Sequence, residues 1–390
     1  KYLKYNWEGK VIIEGTYTSG QRNGAFFNYY PEGKIQRETT YVNGLRQGET
    51  KVYHPNGTLL QQAFFQNDTL TGKVLSYYET ENIKSSTEFN KGKPDGEVIN
   101  YYPNGPKQEV VRYKAGLQDG LTEKYYESGA MESEAFYKRG SLDGYFKTYY
   151  PDGQLKAEAY NEAGRQNGTY RTYFPTGQLE YSGTYLQGKL NGAVESFYAN
   201  GLPSQKLFYK DGAREGKNYT YHDNGAVKTI IDYTNAEKDR TEEVYNIEGK
   251  LVEIRRFRDD MASGEWVLYQ LSEGLVVKEN YLNGKLEGIR SVLSEKGELI
   301  EQAEHKNGKR HGKTTGFHPN KSVAFETFYE YDRKHGAHKV FTKSGKPVEE
   351  GEYVRNMKNG AWKYYDGRGR LEKTVSYKLD KVVSELEADN

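Results

Sequence analysis

The sequence predicts an all-β fold: an elongated array of about sixteen 24-residue antiparallel β-hairpin repeats forming one continuous twisted sheet. Three observations predict it. Glycine returns every 24 residues, at 24, 48, 72, 96, 120, 144, 168, 192, 216, 264, 288, 312, 336 and 360, and only Arg240 breaks the series. The composition, 37 Tyr and 43 Gly against 3 Met, suits half-buried pleated surfaces joined by tight turns. A turn-forming glycine also falls about every twelve residues, too often for helices. An array grows by adding units instead of enlarging one core, so the period overrides the usual reading of 390 residues as two or three domains.

The repeat at Gly168 reads GTYRTYFPTGQLEYSGTYLQGKLN. Its expected elements are a strand TYRTYF, a tight turn Pro175-Thr176-Gly177, a strand QLEYSGTY and a second turn, Leu186-Gln187-Gly188-Lys189. Counting the opening glycine as zero, position five is aromatic in nearly every repeat, as in Tyr29, Tyr53, Tyr149, Tyr173 and Tyr365. Position eleven is mostly aliphatic (Ile35, Leu59, Leu155, Leu179), and position seventeen is again aromatic (Tyr17, Tyr41, Phe65, Tyr185, Tyr353, Tyr377). Positions eleven, fifteen and seventeen share a strand face. With position five they are expected to form the packed side, and glutamates such as Glu14, Glu134 and Glu158 the wet side. Asn161 interrupts column seventeen, and a local bulge is expected to bring in Tyr160 instead. Pro presets φ and Gly allows positive φ in turns such as Pro31-Glu32-Gly33 and Pro151-Asp152-Gly153. In the second turn, Asp68, Asp260, Asp332, Asn356 and Asp380 replace glycine, which marks a left-handed backbone position and not a chemical site. The array spans residues 1–377, with a truncated first unit and later units opening near 24, 48, 72 and every 24 residues to 360. Residues 378–390 are expected to be a C-terminal cap or tail.

Several function classes fall away. Lys plus Arg (56) balances Asp plus Glu (55), so no global charge argues for nucleic acid. With no Cys there are no disulfides, thiolate metal sites or Cys nucleophiles. No apolar run approaches the roughly 20 residues a membrane-spanning helix needs. A membrane link is expected only through a lipid anchor ahead of Lys1, where the chain starts without Met; localisation is read as cell envelope, periplasmic or cell surface, with cytoplasm as the alternative. No G-x-S-x-G, P-loop or H-E-x-x-H occurs. His311 and His335 precede successive opening glycines, two strands and roughly 10 Å apart, too far to share one zinc. The chain is therefore expected to be no enzyme and to need no cofactor or metal.

One column points to binding. Position six holds Tyr30, His54, Tyr78, Tyr102, Tyr126, Tyr150, Phe174 and Tyr198, and turns polar after about residue 215 (His222, Asn246, Gln270, Ser294, His318, Thr342, Asp366). If position five faces the packed side, six faces the other, together with Phe26, Val74, Val98, Phe146, Tyr170 and Val194. Such a stripe either stabilises the sheet by cross-strand pairing or binds a partner. The seven aromatic residues from Tyr30 to Tyr198 are the candidate partner-binding set. A second patch, Glu301 to Lys346, carries ten basic residues against five acidic, and reads as solvated turns or as a surface for an anionic partner.

These columns resemble the MORN repeat, specifically its bacterial variant. The matching words are GxxxxYYxxG, an aliphatic residue, then Y-x-x-G, as in GLTEKYYESGAMESEAFYKRG at Gly120 and GAWKYYDGRGRLEKTVSY at Gly360. The resemblance covers Tyr5 to Tyr377 and implies a hairpin array used as an interaction scaffold. Many bacterial members carry an antitoxin label; eukaryotic relatives are linked to membranes and dimeric scaffolding. Choline-binding repeats share the Gly360-Ala-Trp-Lys-Tyr-Tyr word, but Trp7, Trp266 and Trp362 are too few and too far apart for their aromatic cages. YD repeats lack their Tyr-Asp pair here. The expected function is thus a protein–protein interaction scaffold in a cell-envelope assembly, bound to another protein or complex along the aromatic-rich face. A glycan or cell-wall binding module and an antitoxin-like immunity protein are the alternatives.

Overall fold

The computed structural model describes residues 1–235 and 237–388, and among them the chain is all-β, antiparallel and free of helix. It divides into two compact halves, Lys1–Gly201 and Leu202–Asn390. Within each half, hairpins lie edge to edge in chain order.

The repeat at Gly144 shows the plan. Strand Ser141–Tyr149 pairs with Leu155–Glu162, placing Phe146 opposite Ala159 and Thr148 opposite Ala157. Two backbone bonds close the loop between them, Tyr150 N–H to Gln154 C=O at 2.8 Å and Gly153 N–H to Tyr150 C=O at 2.9 Å. Leu155–Glu162 then turns through Ala163 (φ +47°) and Gly164 (φ +79°) into Arg165–Tyr173. Two positive φ angles make the two-residue turn whose twist matches a hairpin. Asp68, Asp260, Asp332, Asn356 and Asp380 occupy the second of these positions at φ from +61° to +73°.

The opening glycine has a different task. Ala159 faces Tyr170, but Asn161 faces Gln166, so the next strand carries extra residues at this point. Gly168 belongs to that bulge and takes φ +91°. The same slip recurs after Thr39, Ala135, Ala303 and Thr327, each time beside an opening glycine. Arg240 shows the converse. There Thr229–Thr234 pairs with Asp239–Val244 without a slip, and Thr234 meets Asp239, five residues on, where Glu162 meets Arg165, three on. Without glycine the bulge is gone, and its residues move between the strands, so the period survives.

The bulges decide which residues pack: positions fifteen and seventeen lie on the packed face as expected, but position two joins them and position five does not. The core is built from position two (Phe26, Val74, Val194, Trp362) and position fifteen (Ala63, Ala135, Ala159, Ala303, Val375), flanked by the rings at seventeen. Phe26 sits edge-on between Tyr17 and Tyr41, with centroids 5.5 and 5.2 Å away. Position five lies on the opposite face. The hydroxyls of Tyr29, Tyr149, Tyr173 and Tyr365 donate to Glu14, Glu134, Glu158 and Glu350 at 3.0, 2.7, 3.1 and 2.7 Å. Grouping five with fifteen and seventeen fails for two reasons. The register slips between Thr148 and Tyr149, so parity does not carry across the loop. A tyrosine can also serve a wet face when its hydroxyl finds a carboxylate. Asn161 is itself buried, while Tyr160 packs on Tyr145 at 5.1 Å on the carboxylate face, so Tyr160 does not replace it. The bulge beside it is the one nearly every repeat has.

Strand Lys381–Glu387 pairs with Leu371–Lys378, so a fully exposed edge strand occupies most of the segment expected as cap or tail. Residues 389–390 lie outside the described residues.

The carboxylate face predicts an alkaline transition. Burial, then the bond to Glu134, pushes Tyr149 up to about 12; burial and Glu350 do the same to Tyr365, and the Glu243 bond does so to Tyr245. Between pH 10, the ordinary value, and about 12 the folded state therefore holds more protons than the unfolded one. This contribution to stability is complete below pH 10 and is lost as pH rises towards 12. Urea midpoints measured against pH should fall across that window, with tyrosinate absorbance rising alongside.

Candidate functional site

The loops place the position-six column. Tyr30, Tyr78, Tyr102, Tyr126 and Tyr150 each follow a strand and open its loop, where Pro, if present, follows directly. Their hydroxyls donate to the main-chain carbonyls of Tyr53, Tyr101, Tyr125, Tyr149 and Tyr173, each at 2.8 Å and each 23 residues on. The rings are half-buried, as are Phe174, which has no hydroxyl to donate, and Tyr198, which is also partnered. At these five tyrosines the column latches one repeat to the next along one edge, while Nε2 of His54 in the same column is buried without a partner. Along the other edge turn amides do the same, as in Gly164 N–H to Leu142 C=O and Gly188 N–H to Gln166 C=O, both 2.8 Å.

The polar residues of the second half continue this logic. Nε2 of His222 and His318 donates to the carbonyls of Tyr245 and Phe341 at 3.2 and 2.9 Å. Asn246, Ser294, Thr342 and Asp366 instead accept N–H groups of their own loops, from Lys250, Glu298, Lys346 and Arg370. The column's change of polarity is a change between two hydrogen-bond solutions. Tyr102→Phe should therefore lower stability by about 1 kcal/mol, the usual net worth of such a bond, as read from the urea midpoint. No change would mean that the latch is idle.

On the packed face the position-seventeen rings act as walls and the position-two side chain fills the slot between them. Trp266 fills the slot between Phe257 and Tyr281 at 5.4 and 4.6 Å, and Trp362 the one between Tyr353 and Tyr377 at 5.0 and 6.3 Å. At Thr50 and Thr122, where position two is small, the slot is open. At Thr50 a cavity of about 380 Å³ is lined by Thr39, Tyr41, Thr50, Ala63, Phe65 and Val74. Another of about 380 Å³ lies at Thr122, beside Ala135 and Tyr137. Thr50 Oγ1 is buried without a hydrogen-bond partner. The sequence reading set position two beside the position-six stripe and so missed these slots. The signal was there: small residues at two, flanked by aromatics at seventeen.

One row of side chains has a catalytic look. Thr327 Oγ1 and His338 Nδ1 share a hydrogen bond of 2.8 Å, and His338 Nε2 lies 3.4 Å from Glu349. Thr327 is only 2 % exposed, so no substrate reaches its hydroxyl. Among the described residues no three side chains of metal-ligand type converge. Burial holds His338 below its usual value against the pull of Glu349. Folded His338 thus resists the proton that unfolded His takes up below about pH 6.5. Stability is complete above that value and should fall as pH drops below it. His338→Gln should flatten the acid limb of the urea midpoint against pH.

Against known proteins, the sequence matches one family model. Six segments, 22–43, 46–67, 118–139, 142–160, 166–187 and 334–355, match the MORN repeat variant. Five lie in the first half, where the bulge glycines are unbroken. The segment at Gly360 is not among the MORN-variant matches. No curated protein matches the chain. Among solved structures it is similar to the TcdB2–TccC3 crystal structure (13% identity, TM-score 0.17), covering 94% of this chain and 21% of that one. It is similar also to the Photorhabdus luminescens Tc holotoxin pore (12%, TM-score 0.15), covering 95% of this chain and 18% of that one. A eukaryotic initiation factor gives 13% identity and TM-score 0.19, with 85% and 86% covered. The chain spans about a fifth of the first of these, and likenesses this weak bear on neither fold nor function.

Proposed function

We propose that this chain is a non-enzymatic scaffold that holds a partner protein along its slotted face. The observation that carries the reading is the pair of open, aromatic-walled cavities at Thr50 and Thr122. Exposed aromatic pockets are where interface energy concentrates. The MORN-variant segments agree with a binding-repeat role. The position-six hydroxyls are tied to neighbouring carbonyls, which favours a structural part for Tyr30 to Tyr150, with Tyr126 also lining the Thr122 cavity.

A photo-crosslinking residue at Gln61, on the slot rim, is compared with one at Lys147, which pairs with Glu134 on the carboxylate face. Cell-envelope extract is the first source of partner to try. A discrete protein captured from Gln61 and not from Lys147 supports the scaffold; equal capture or none overturns it. Binding to a glycan array would favour the second reading, since tyrosine walls also stack on sugars.

A further inference from the structure

The slots along the packed face share one frame, and the chain itself shows what fits it. Phe26 and Trp362 lie between consecutive wall rings with edge-on centroid distances of 5.0 to 6.3 Å, and Trp266 packs within 4.6 Å of Tyr281. The frame also accommodates a polar ring edge. The indole N–H groups of Trp266 and Trp362 donate to the carbonyls of Arg256 and Glu352 at 2.9 and 3.1 Å. At Thr50 the walls are present, the floor is closed and the ring is missing. Tyr41 and Phe65 stand on either side, and Phe65 is braced by the Arg46 guanidinium 3.9 Å above it. The floor residues Thr39 and Thr50 are 4 % and 9 % exposed. Val74, small at the next slot, extends the cavity to about 380 Å³, within the ~300–1,000 Å³ typical of ligand sites. Thr50 Oγ1 is itself buried and presents no surface to the slot, which therefore offers a ligand ring and aliphatic walls.

We propose that the Thr50 slot is a receptor for one aromatic side chain of a partner protein, a ring of the kind that Phe26 and Trp362 supply to their own slots. This rests on the slotted face being the binding face. A ring anchor suits the lining better than a sugar does. The walls are Tyr41, Phe65, Leu70 and Val74, and the floor's unpartnered hydroxyl is buried out of reach, where a sugar ring asks for several polar partners. Exposed Arg37 and Gln61 supply the polar rim that surrounds such anchors.

The test follows the methyl resonances of Val52, Leu70 and Val74 in the full-length protein, titrated with indole, p-cresol and cellobiose. Indole and p-cresol should shift these methyls. In Thr50→Trp, which fills the slot from within, indole affinity should drop at least tenfold, with a thermal midpoint no lower than wild type. Thr50→Ser, which keeps the slot open, should bind as wild type does. Capture from Gln61 should also be lost in Thr50→Trp. Absent shifts, shifts that persist in Thr50→Trp, or shifts with cellobiose alone overturn the receptor while capture from Gln61 still stands. Indole shifts with no protein captured overturn the scaffold reading and leave a site for a free aromatic molecule.

Discussion

Trp362→Ala is expected to destabilise the second half by about 3–5 kcal/mol, the range for removing a large buried aromatic. Trp362 is 0 % exposed and fills its slot between Tyr353 and Tyr377. Its indole N–H holds the Glu352 carbonyl, and the Lys358 ammonium lies 3.9 Å from the ring centroid. Gly351 completes the fit. Its backbone is extended, and a Cβ there would come within 2.3 Å of the indole. Truncation therefore leaves a void that Gly351 cannot fill and strips Lys358 of the nearest of its ring partners, leaving Tyr364 and Tyr377 at 5.3 and 5.5 Å. In an array the loss should be local. Urea unfolding should shift, and amide exchange should accelerate mainly between Gly336 and Lys381. A loss below about 1 kcal/mol would show that the slot collapses around the missing ring.

Gly144→Val is expected to cost about 1–3 kcal/mol or more, through the backbone and not through lost contacts. Gly144 has φ +135°, outside the regions open to a β-branched residue, and a Cβ would lie 3.1 Å from that of Phe136. Gly367→Ala is the control. It has no positive φ and nothing within 4 Å of an added Cβ, so its midpoint should stay within about 0.5 kcal/mol of wild type. Arg240 shows how the chain responds when such a glycine is absent: the bulge is given up. Should Gly144→Val take the same route, its cost would be small, and amide exchange would report the changed register at Tyr137 to Ser141.

The repeat was legible because its demands are local. The second of the turn's two positive-φ positions selects Gly, Asn or Asp, as at Asp332 and Gly164, while the first takes residues as varied as Ala163, Arg139 and Leu379. A loop with preset φ selects Pro followed by Gly, as at Pro151 and Gly153. The site was less legible. Tyr149 and Tyr150 are identical in type and adjacent, yet one donates to Glu134 across the sheet and the other to the Tyr173 carbonyl of the next repeat. No column of residue types separates those roles.

The sequence alone determined the period, the hairpins and the turn chemistry, because each follows from the dihedral needs of single residues. Only the tertiary structure decided which face packs and where it stays open. Each bulge inserts residues into one strand and not its neighbour, so side-chain parity changes between paired strands. A slot's emptiness at Thr50 depends on Tyr41 and Phe65, which chain order places nine residues before it and fifteen after it, and only strand pairing makes them its walls.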